Sequence, residues 1–410
     1  MLLRMAWRNL WRNRRRTILS LVSIAFGLFL CLTFTTLSDG SYGDMIDTAA
    51  TMGAAHLVVQ PKDYEDSPGM DLTLDHSKAL VEFIESQAGV KKITPRIIAQ
   101  SMAASANASL GAAVYAIDPK AEGEDLHMLK SIVEGENLPG TEGRHALIGI
   151  KMAEQLEVKL GKKIVVTMTD KKGDVISGLL RVKGIFRTGV DEVDRHVILA
   201  PLNWVRGLVG YGPEEVTQLA VQIDDYRNSD ALAQALKPKT EIQQAVALPW
   251  YDAMPDIAAT IAMDKSSNYF MQLVILILIG AGILNTVLMS VLERFREFGV
   301  MLAVGMTPRR LWWLVLAETF WISIIGILSG ILISIPMYRY LATTGLDMSS
   351  FIEGEISLGN TIFNPVMKAT IYMDHMAIIL GGVFVLIMIA GLYPAYIASR
   401  TRPVDAIKTI

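Results

Sequence analysis

Residues 17–38 read TILSLVSIAFGLFLCLTFTTLS, twenty-two consecutive residues without a formal charge. As a helix rising 1.5 Å per residue, such a run covers the ~30 Å hydrocarbon core of a bilayer. Three further runs have the same character: 266–292, 319–338 (with 311–317 just before Glu318) and 376–399. The composition agrees, with 51% hydrophobic residues, 19% charged residues and a mean hydropathy of +0.37. A soluble domain carries about 25% charge. The apolar excess is therefore gathered into four candidate spans.

Between the first and second spans lies a polar block, 39–265, large enough to bury a core of its own. It holds 33 acidic and 23 basic residues, whereas the rest of the chain holds 8 and 15. The excess bases lie beside the spans. Arg4, Arg8, Arg12, Arg14, Arg15 and Arg16 precede the first; Arg294, Arg296, Arg309 and Arg310 separate the second and third; Arg400, Arg402 and Lys408 follow the fourth. The positive-inside rule assigns these segments to the cytoplasm, and with them both termini. Residues 39–265 and the base-poor loop 339–375 are then expected outside. The first run exceeds the roughly 7–15 apolar residues of a signal peptide and reads as an uncleaved anchor. Cys31, the single cysteine, sits within it, so no intrachain disulfide can form.

The outer block alternates β-rich runs, His56 to Gln60, Lys163 to Thr169, Gly178 to Phe186 and His196 to Ala200, with helical periodicity at Ser77 to Gln87, Lys151 to Leu156 and Ser229 to Leu236. The expected fold is a membrane α-helical protein of four transmembrane helices plus a large α+β extracytoplasmic domain. A β-rich subdomain at about 117–212 is expected as an insertion, because its flanks, 40–116 and 213–265, must both return to the membrane.

Chemistry-bearing motifs are missing. There is no G-x-x-x-x-G-K-[ST] phosphate loop, no H-E-x-x-H and no G-x-S-x-G. His56, His76, His127, His145, His196 and His375 are scattered, and one thiol cannot build a cysteine zinc site. No catalytic residue, metal ligand or cofactor site is assigned to this chain. The arginine cluster abuts a span, so anionic lipid explains it better than nucleic acid.

Two membrane-edge segments carry more information. In residues 1–16, Trp7 and Trp11 form one helical stripe and Arg4, Arg8, Arg12 and Arg15 another, as in an amphipathic interfacial helix; topology signalling alone is the alternative. Residues 293–310 read ERFREFGVMLAVGMTPRR. Glu293 and Glu297 are spaced to share a helix face, Gly305 can stop a short helix and Pro308 can start the next. A short helix offered to a soluble partner fits; a solvated loop that merely sets topology is the alternative.

With Glu318, this segment resembles the coupling region of the FtsX-like permease family, which includes the MacB permease and the lipoprotein-releasing LolC and LolE subunits. Trp7-Arg8-Asn9-Leu10 and Arg14 to Thr17 are similar to the start of that family, and Tyr393-Pro394-Ala395, Ala398 and Arg402 to Ile407 to its end. Within the outer block, Leu147-Ile148-Gly149, Ala153, Leu156, Gly184-Ile185-Phe186 and Asp194 resemble its inserted subdomain, leaning towards LolC and LolE. The resemblance implies a permease subunit in a bacterial inner membrane, working with a separate ATPase dimer that holds the ATP and magnesium. It also implies a second permease subunit, identical or paralogous, a lipoprotein cargo and a periplasmic carrier. Export of amphiphiles or peptides, as the MacB likeness suggests, and FtsX-like signalling to a cell-wall hydrolase remain alternatives.

The segments expected are thus 1–16 interfacial helix, 17–38 first span, 39–265 periplasmic domain, 266–292 second span, 293–310 coupling helix, 311–338 third span, 339–375 periplasmic loop, 376–399 fourth span and 400–410 cytoplasmic tail. ATPase coupling is expected from Glu293, Arg294, Arg296, Glu297, Phe298, Gly299, Ala303, Gly305, Met306, Thr307 and Pro308. Glu318 and Asn285 are intramembrane polar groups, costly in hydrocarbon and expected to face protein or water. Ser23/Gly27 and Gly326/Gly330 allow close helix packing, within the chain or as a dimer seam. A cargo cavity is expected near Phe34, Leu37, Met45, Tyr269, Phe270 and Leu273.

Overall fold

A computed structural model describes residues 2–64, 67–75, 78–240, 244–348, 357–358, 361–362 and 366–401. His76 and the terminal run Arg402 to Ile407 fall outside the described residues. Among the described residues, four helices are long and apolar enough to cross a bilayer: Arg14–Ala54, Pro255–Glu293, Pro308–Thr343 and Met373–Ser399. Each overruns its charge-free core. Charge marks where hydrocarbon ends, whereas a helix continues until its backbone bonding is interrupted. The interruptions are local: Gly53 at φ 114°, Pro255 at a helix start, Thr307 capping the Arg310 amide ahead of Pro308, and Gly345 at φ 76°.

The chain divides into two compact units, 1–42 with 262–348 and 366–410, and 43–261 with 349–365. In the first, the helices meet around Ile24, Leu28, Ile283, Leu314, Val383 and Ile387, all buried. Close approach is set by glycine. A Cβ on Gly326 would stand 2.8 Å from Ile24, one on Gly330 2.8 Å from Leu28, and one on Gly391 2.7 Å from Thr319. These contacts place the Gly326/Gly330 pair in a seam between the first and third helices of the same chain. Gly27 likewise receives Ile279 of the second.

The second unit is built on ten strands: β1 Leu57–Pro61, β2 Val90–Ala104, β3 Ser109–Ile117, β4 Ile132–Gly135, β5 His145–Gly149, β6 Lys163–Thr169, β7 Val175–Phe186, β8 Val197–Pro201, β9 Gln218–Ile223 and β10 Ala245–Pro249. Their order is β10-β1-β9-β2-β3-β8-β5-β7-β4, and β6 joins β7 back to β2. Six strands, β2-β3-β8-β5-β7-β6, therefore close on themselves. Period-two alternation sends Ala112, Val114, Ile148, Ile164, Val166, Leu180, Val182 and Ile198 into one core.

Strand β2 corrects the expected insertion boundary of 117–212. Its first half, to Arg96, pairs with β9, and its second half, from Ile97, pairs with β3. The chain comes back at Thr217, whose amide donates to the Arg96 carbonyl at 3.1 Å. The inserted piece thus begins in the middle of a strand, near 97, and ends near 217. A continuous strand carries no turn residue where it changes sheets, so nothing in the local sequence marks the change.

Candidate functional site

The basic end of the bundle is organised by three arginines from two distant parts of the chain, Arg12 and Arg16 from one and Arg294 from the other. Helix Leu2–Leu10 leads through the turn Trp11–Asn13 into the first span helix, and Thr17 Oγ1 donates to the Leu10 carbonyl at 2.6 Å. Ala6 and Leu10 are buried against the bundle, and the Trp7 ring packs edge-on to Trp321, centroids 5.0 Å apart. Trp321 Nε1 in turn donates to the Leu3 carbonyl. The segment expected as an interfacial helix is attached to the third span helix, with Arg4 and Arg8 exposed.

The expected coupling helix 293–310 is shorter in the structure, Phe295–Ala303. Glu293 ends the preceding helix instead. Gly305, at φ 106°, closes the short helix: its amide donates to Leu302 and the Met306 amide to Met301, a six-residue stop that only a left-handed position allows. Phe298 and Gly299 are buried and anchor it, and the Arg294 guanidinium lies over the Phe298 ring at 5.1 Å.

The carboxylates of the expected docking face, 42–43% exposed, are engaged by arginines of the same chain. Glu297 accepts from Arg12 and, at 3.3 Å, from Arg294; Glu293 accepts from Arg16. Burial acts to raise the Glu297 pKa, but the hydrogen bonds from Arg12 and Arg294 outweigh it and hold the carboxyl below its ordinary range. Glu318, deeper in the third helix, takes both oxygens to Arg294 Nη1 at 2.9 and 3.0 Å and accepts from Asn9 Nδ2 at 2.8 Å. Arg294 and Glu318 are 12% and 13% exposed, so this is a largely desolvated pair. These groups line a cavity of about 260 Å³ together with Ser20, Thr286 and Ser290.

What the short helix leaves outside is different in kind. Val300 and Val304 are exposed, the latter at 84%, with Arg296, Ala303, Gly305, Thr307, Pro308, Arg309 and Arg310 exposed around them and Met306 half-buried. The result is an apolar tip with a basic border, seated by ion pairs behind it.

At the opposite end, the first and second helices are joined by a ladder of polar side chains. Gln272 Nε2 donates to Thr35 Oγ1 at 2.8 Å, Asn268 Nδ2 to Ser38 Oγ and Tyr42 Oη, and Tyr42 Oη to Asp264 at 2.6 Å. Asp39, buried, pairs with His375 Nδ1 at 2.8 Å. The backbone of 368–370 lies against the first helix where Gly40 has no side chain, and the Thr370 amide donates to the Thr36 carbonyl. Of the expected cargo residues, Phe34, Tyr269, Phe270 and Leu273 are exposed and Leu37 is half-buried. Met45 is buried and falls in the other compact unit. Asn285 is exposed on the second helix.

Comparison with known proteins then decides the family. The FtsX-like permease C-terminal model matches residues 269–403, and the MacB-like periplasmic core domain model matches residues 17–239, more than half of the chain. The chain belongs to the FtsX-like, MacB-like permease family. This permease is 20% identical to the lipoprotein-releasing system transmembrane protein LolC of Neisseria meningitidis over 96% of the chain and 94% of that protein. It is 26% identical to the macrolide export ATP-binding/permease protein MacB of Wolinella succinogenes over 99% of the chain, which spans 60% of MacB. The crystal structure of the periplasmic region of MacB from Actinobacillus actinomycetemcomitans aligns over 51% of this chain and 94% of its own, with 15% identity and a TM-score of 0.34. The permease is thus an ABC-transporter permease subunit of the LolC, MacB and FtsX kind.

Sequence reasoning overlooked three contributors to the basic end of this permease: Asn9, Arg12 and Arg16. Arg12 and Arg16 have a sufficient explanation beside a span without any partner, and Asn9 carries no signal beyond its place in Trp7-Arg8-Asn9-Leu10. Sequence reasoning also passed over Val300 and Val304, whose exposure depends on which face of the short helix Phe298 buries.

Proposed function

We propose that this chain transmits ATP-driven motion across a bacterial inner membrane to release lipoproteins from its outer leaflet. The observation that carries the reading is the short helix Phe295–Ala303, held from behind by ion pairs and presenting Val300 and Val304 within a basic border. Such a tip suits insertion into an apolar groove with an acidic margin on a separate ATPase subunit, which would hold the ATP and magnesium. The basic ends of the helices would face the cytoplasm, as the positive-inside rule requires, and 43–261 the periplasm.

Cargo chemistry sets the energy scale. Three acyl chains of about 15 methylenes, at about 0.8 kcal/mol each, amount to roughly 36 kcal/mol of burial to be reversed. Release on that scale needs both a fuel and an apolar surface to receive the chains. Phe34, Leu37, Tyr269, Phe270 and Leu273 supply candidate apolar surface beside a hydrogen-bond ladder that can part. A second permease subunit would complete the enclosure, and Asn285, exposed on its helix, would face it. A periplasmic carrier would accept the cargo. The full-length match to LolC supports this reading.

The test is reconstitution in proteoliposomes with the ATPase, a triacylated lipoprotein and an acceptor carrier. ATP-dependent transfer to the carrier is expected. Glu297→Lys, which opposes Arg12 and Arg294 with a like charge, should insert normally and lose transfer; full transfer by a correctly inserted variant would sink the coupling role. A MacB-like export of amphiphiles is the second reading, favoured by the 26% identity to MacB. It predicts transport of a small amphiphile and no lipoprotein transfer. Stimulation of a bound cell-wall hydrolase without extraction would instead mark a signalling subunit.

A further inference from the structure

The helix that begins at Arg14 ends in a π-helical turn, Ala50–Ala54, broken at Gly53. The last carbonyls of a helix need outside donors. That of Gly53 finds one in Arg96 Nη1, at 2.5 Å. The same guanidinium donates through Nε and Nη2 to the two oxygens of Glu122, at 2.5 and 2.9 Å. Arg96 and Glu122 are 1% and 2% exposed, so the fork is completely enclosed. Nearby, Lys92 Nζ donates to the Glu122 carbonyl and to Asp125, both at 2.6 Å.

The location of this fork matters more than its strength. Arg96 is the last residue of β2 paired with β9 before the strand enters the closed ring. Glu122 ends the helical turn Pro119–Glu122 that follows ring strand β3. One side chain therefore touches the end of the first helix, the open sheet and the flank of the ring. There is little slack beside it: a Cβ on Gly53 would lie 3.3 Å from Tyr115 of β3 and 3.5 Å from Met128. A buried ion pair is a poor source of net stability, because desolvation offsets its attraction. A planar guanidinium does supply several donors in fixed directions, which an apolar contact cannot.

We propose that Arg96 is a positioning residue, the joint through which displacement of the first helix is passed to the inserted ring 97–217. The proposal rests on the reading that motion is delivered to the outer unit. Helix end and ring then move as one body, and the open sheet pivots with them.

Replacing both partners, Arg96→Met with Glu122→Leu, removes the joint without leaving an unpaired buried charge. In the reconstituted complex, hydrolysis and the thermal transition should stay close to wild type while cargo transfer falls by roughly 5- to 150-fold, the range of site-to-site coupling. Arg96→Lys, which keeps the charge without the fork, should recover only part of it. Unchanged transfer overturns the proposal, and so does a loss of transfer matched by a lower thermal transition, which would make the pair a simple brace. A cargo-free readout separates this from the functional reading. Spin labels at Thr48→Cys and Lys172→Cys, in a Cys31→Ala background, should give a narrow distance distribution that broadens in the double variant. An unchanged distribution overturns the joint. A wild-type chain that transfers no lipoprotein yet loses its narrow distribution in the variant argues against the cargo and for the joint.

Discussion

The two ends of the helical bundle are fastened by different chemistry. At the basic end, Arg12, Arg16 and Arg294 meet Glu297, Glu293 and Glu318, and the innermost pair is nearly out of water. At the other end, the first and second helices meet mostly through neutral groups, Gln272 to Thr35 and Asn268 to Ser38 and Tyr42. Separating a desolvated ion pair strands two charges, whereas neutral side-chain bonds between membrane helices are worth only about 0.6 kcal/mol each on average. The innermost contact at the basic end is thus costlier to part than the neutral bonds between the first and second helices at the opposite end.

The largest expected effect comes from breaking the basic end. Glu318→Ala leaves the largely buried Arg294 with only the half-exposed Glu297, at 3.3 Å, as counter-charge and should cost up to about 3–5 kcal/mol. Thermal unfolding in detergent measures this; a variant as stable as wild type would mean that Arg294 finds solvent at no cost and that the two ends are alike. Next is the seam between them. Gly326→Leu must displace Ile24 and is expected to cost about 1–3 kcal/mol by overpacking, seen as a lower transition with the helical content retained.

At the opposite end, Asn268→Leu removes the bonds to Ser38 and Tyr42, and should cost only about 0.6–2 kcal/mol. Cross-linking between cysteines at Thr35 and Gln272 would sharpen the contrast: if opening is required, the bridged protein should hydrolyse ATP without moving cargo. The smallest effect is on pH. Glu297 has its folded pKa lowered, so its contribution is present above the ordinary carboxylate pKa and is lost as pH falls through the depressed folded value. Seating of the short helix, followed by the distance between spin labels at Val304→Cys and Arg8→Cys in a Cys31→Ala background, should hold at neutral pH and loosen only in that acid window. Loosening near neutrality would contradict the pairing with Arg12.

The difference in chemistry also separates what could be read in advance from what could not. Gly305 and Pro308 were legible as a stop and a start, since a left-handed turn and a missing amide act within a few residues. The strand runs 163–169 and 196–200 were legible for the same reason. The insertion boundary was not, because β2 changes partners at Arg96 without leaving extended geometry. Glu293 and Glu297 read as a shared helix face, but their pairing with Arg12 and Arg16, nearly 300 residues earlier in the chain, could not be read. Met45 read as a rim residue of the bundle, but the first helix continues to Ala54 and Met45 is buried.

Taken alone, the sequence determined the four bilayer-length helices, the side on which charge gathers and the α+β character of the block between the first two. Those properties are sums over neighbouring residues, and solvent imposes them before any long-range contact forms. The folded chain alone decided that Arg294 answers Glu318, that Gly326 admits Ile24, and that Arg96 reaches both Gly53 and Glu122. A charge or a glycine carries no record of its partner, and only bringing distant segments within a few ångströms selects one.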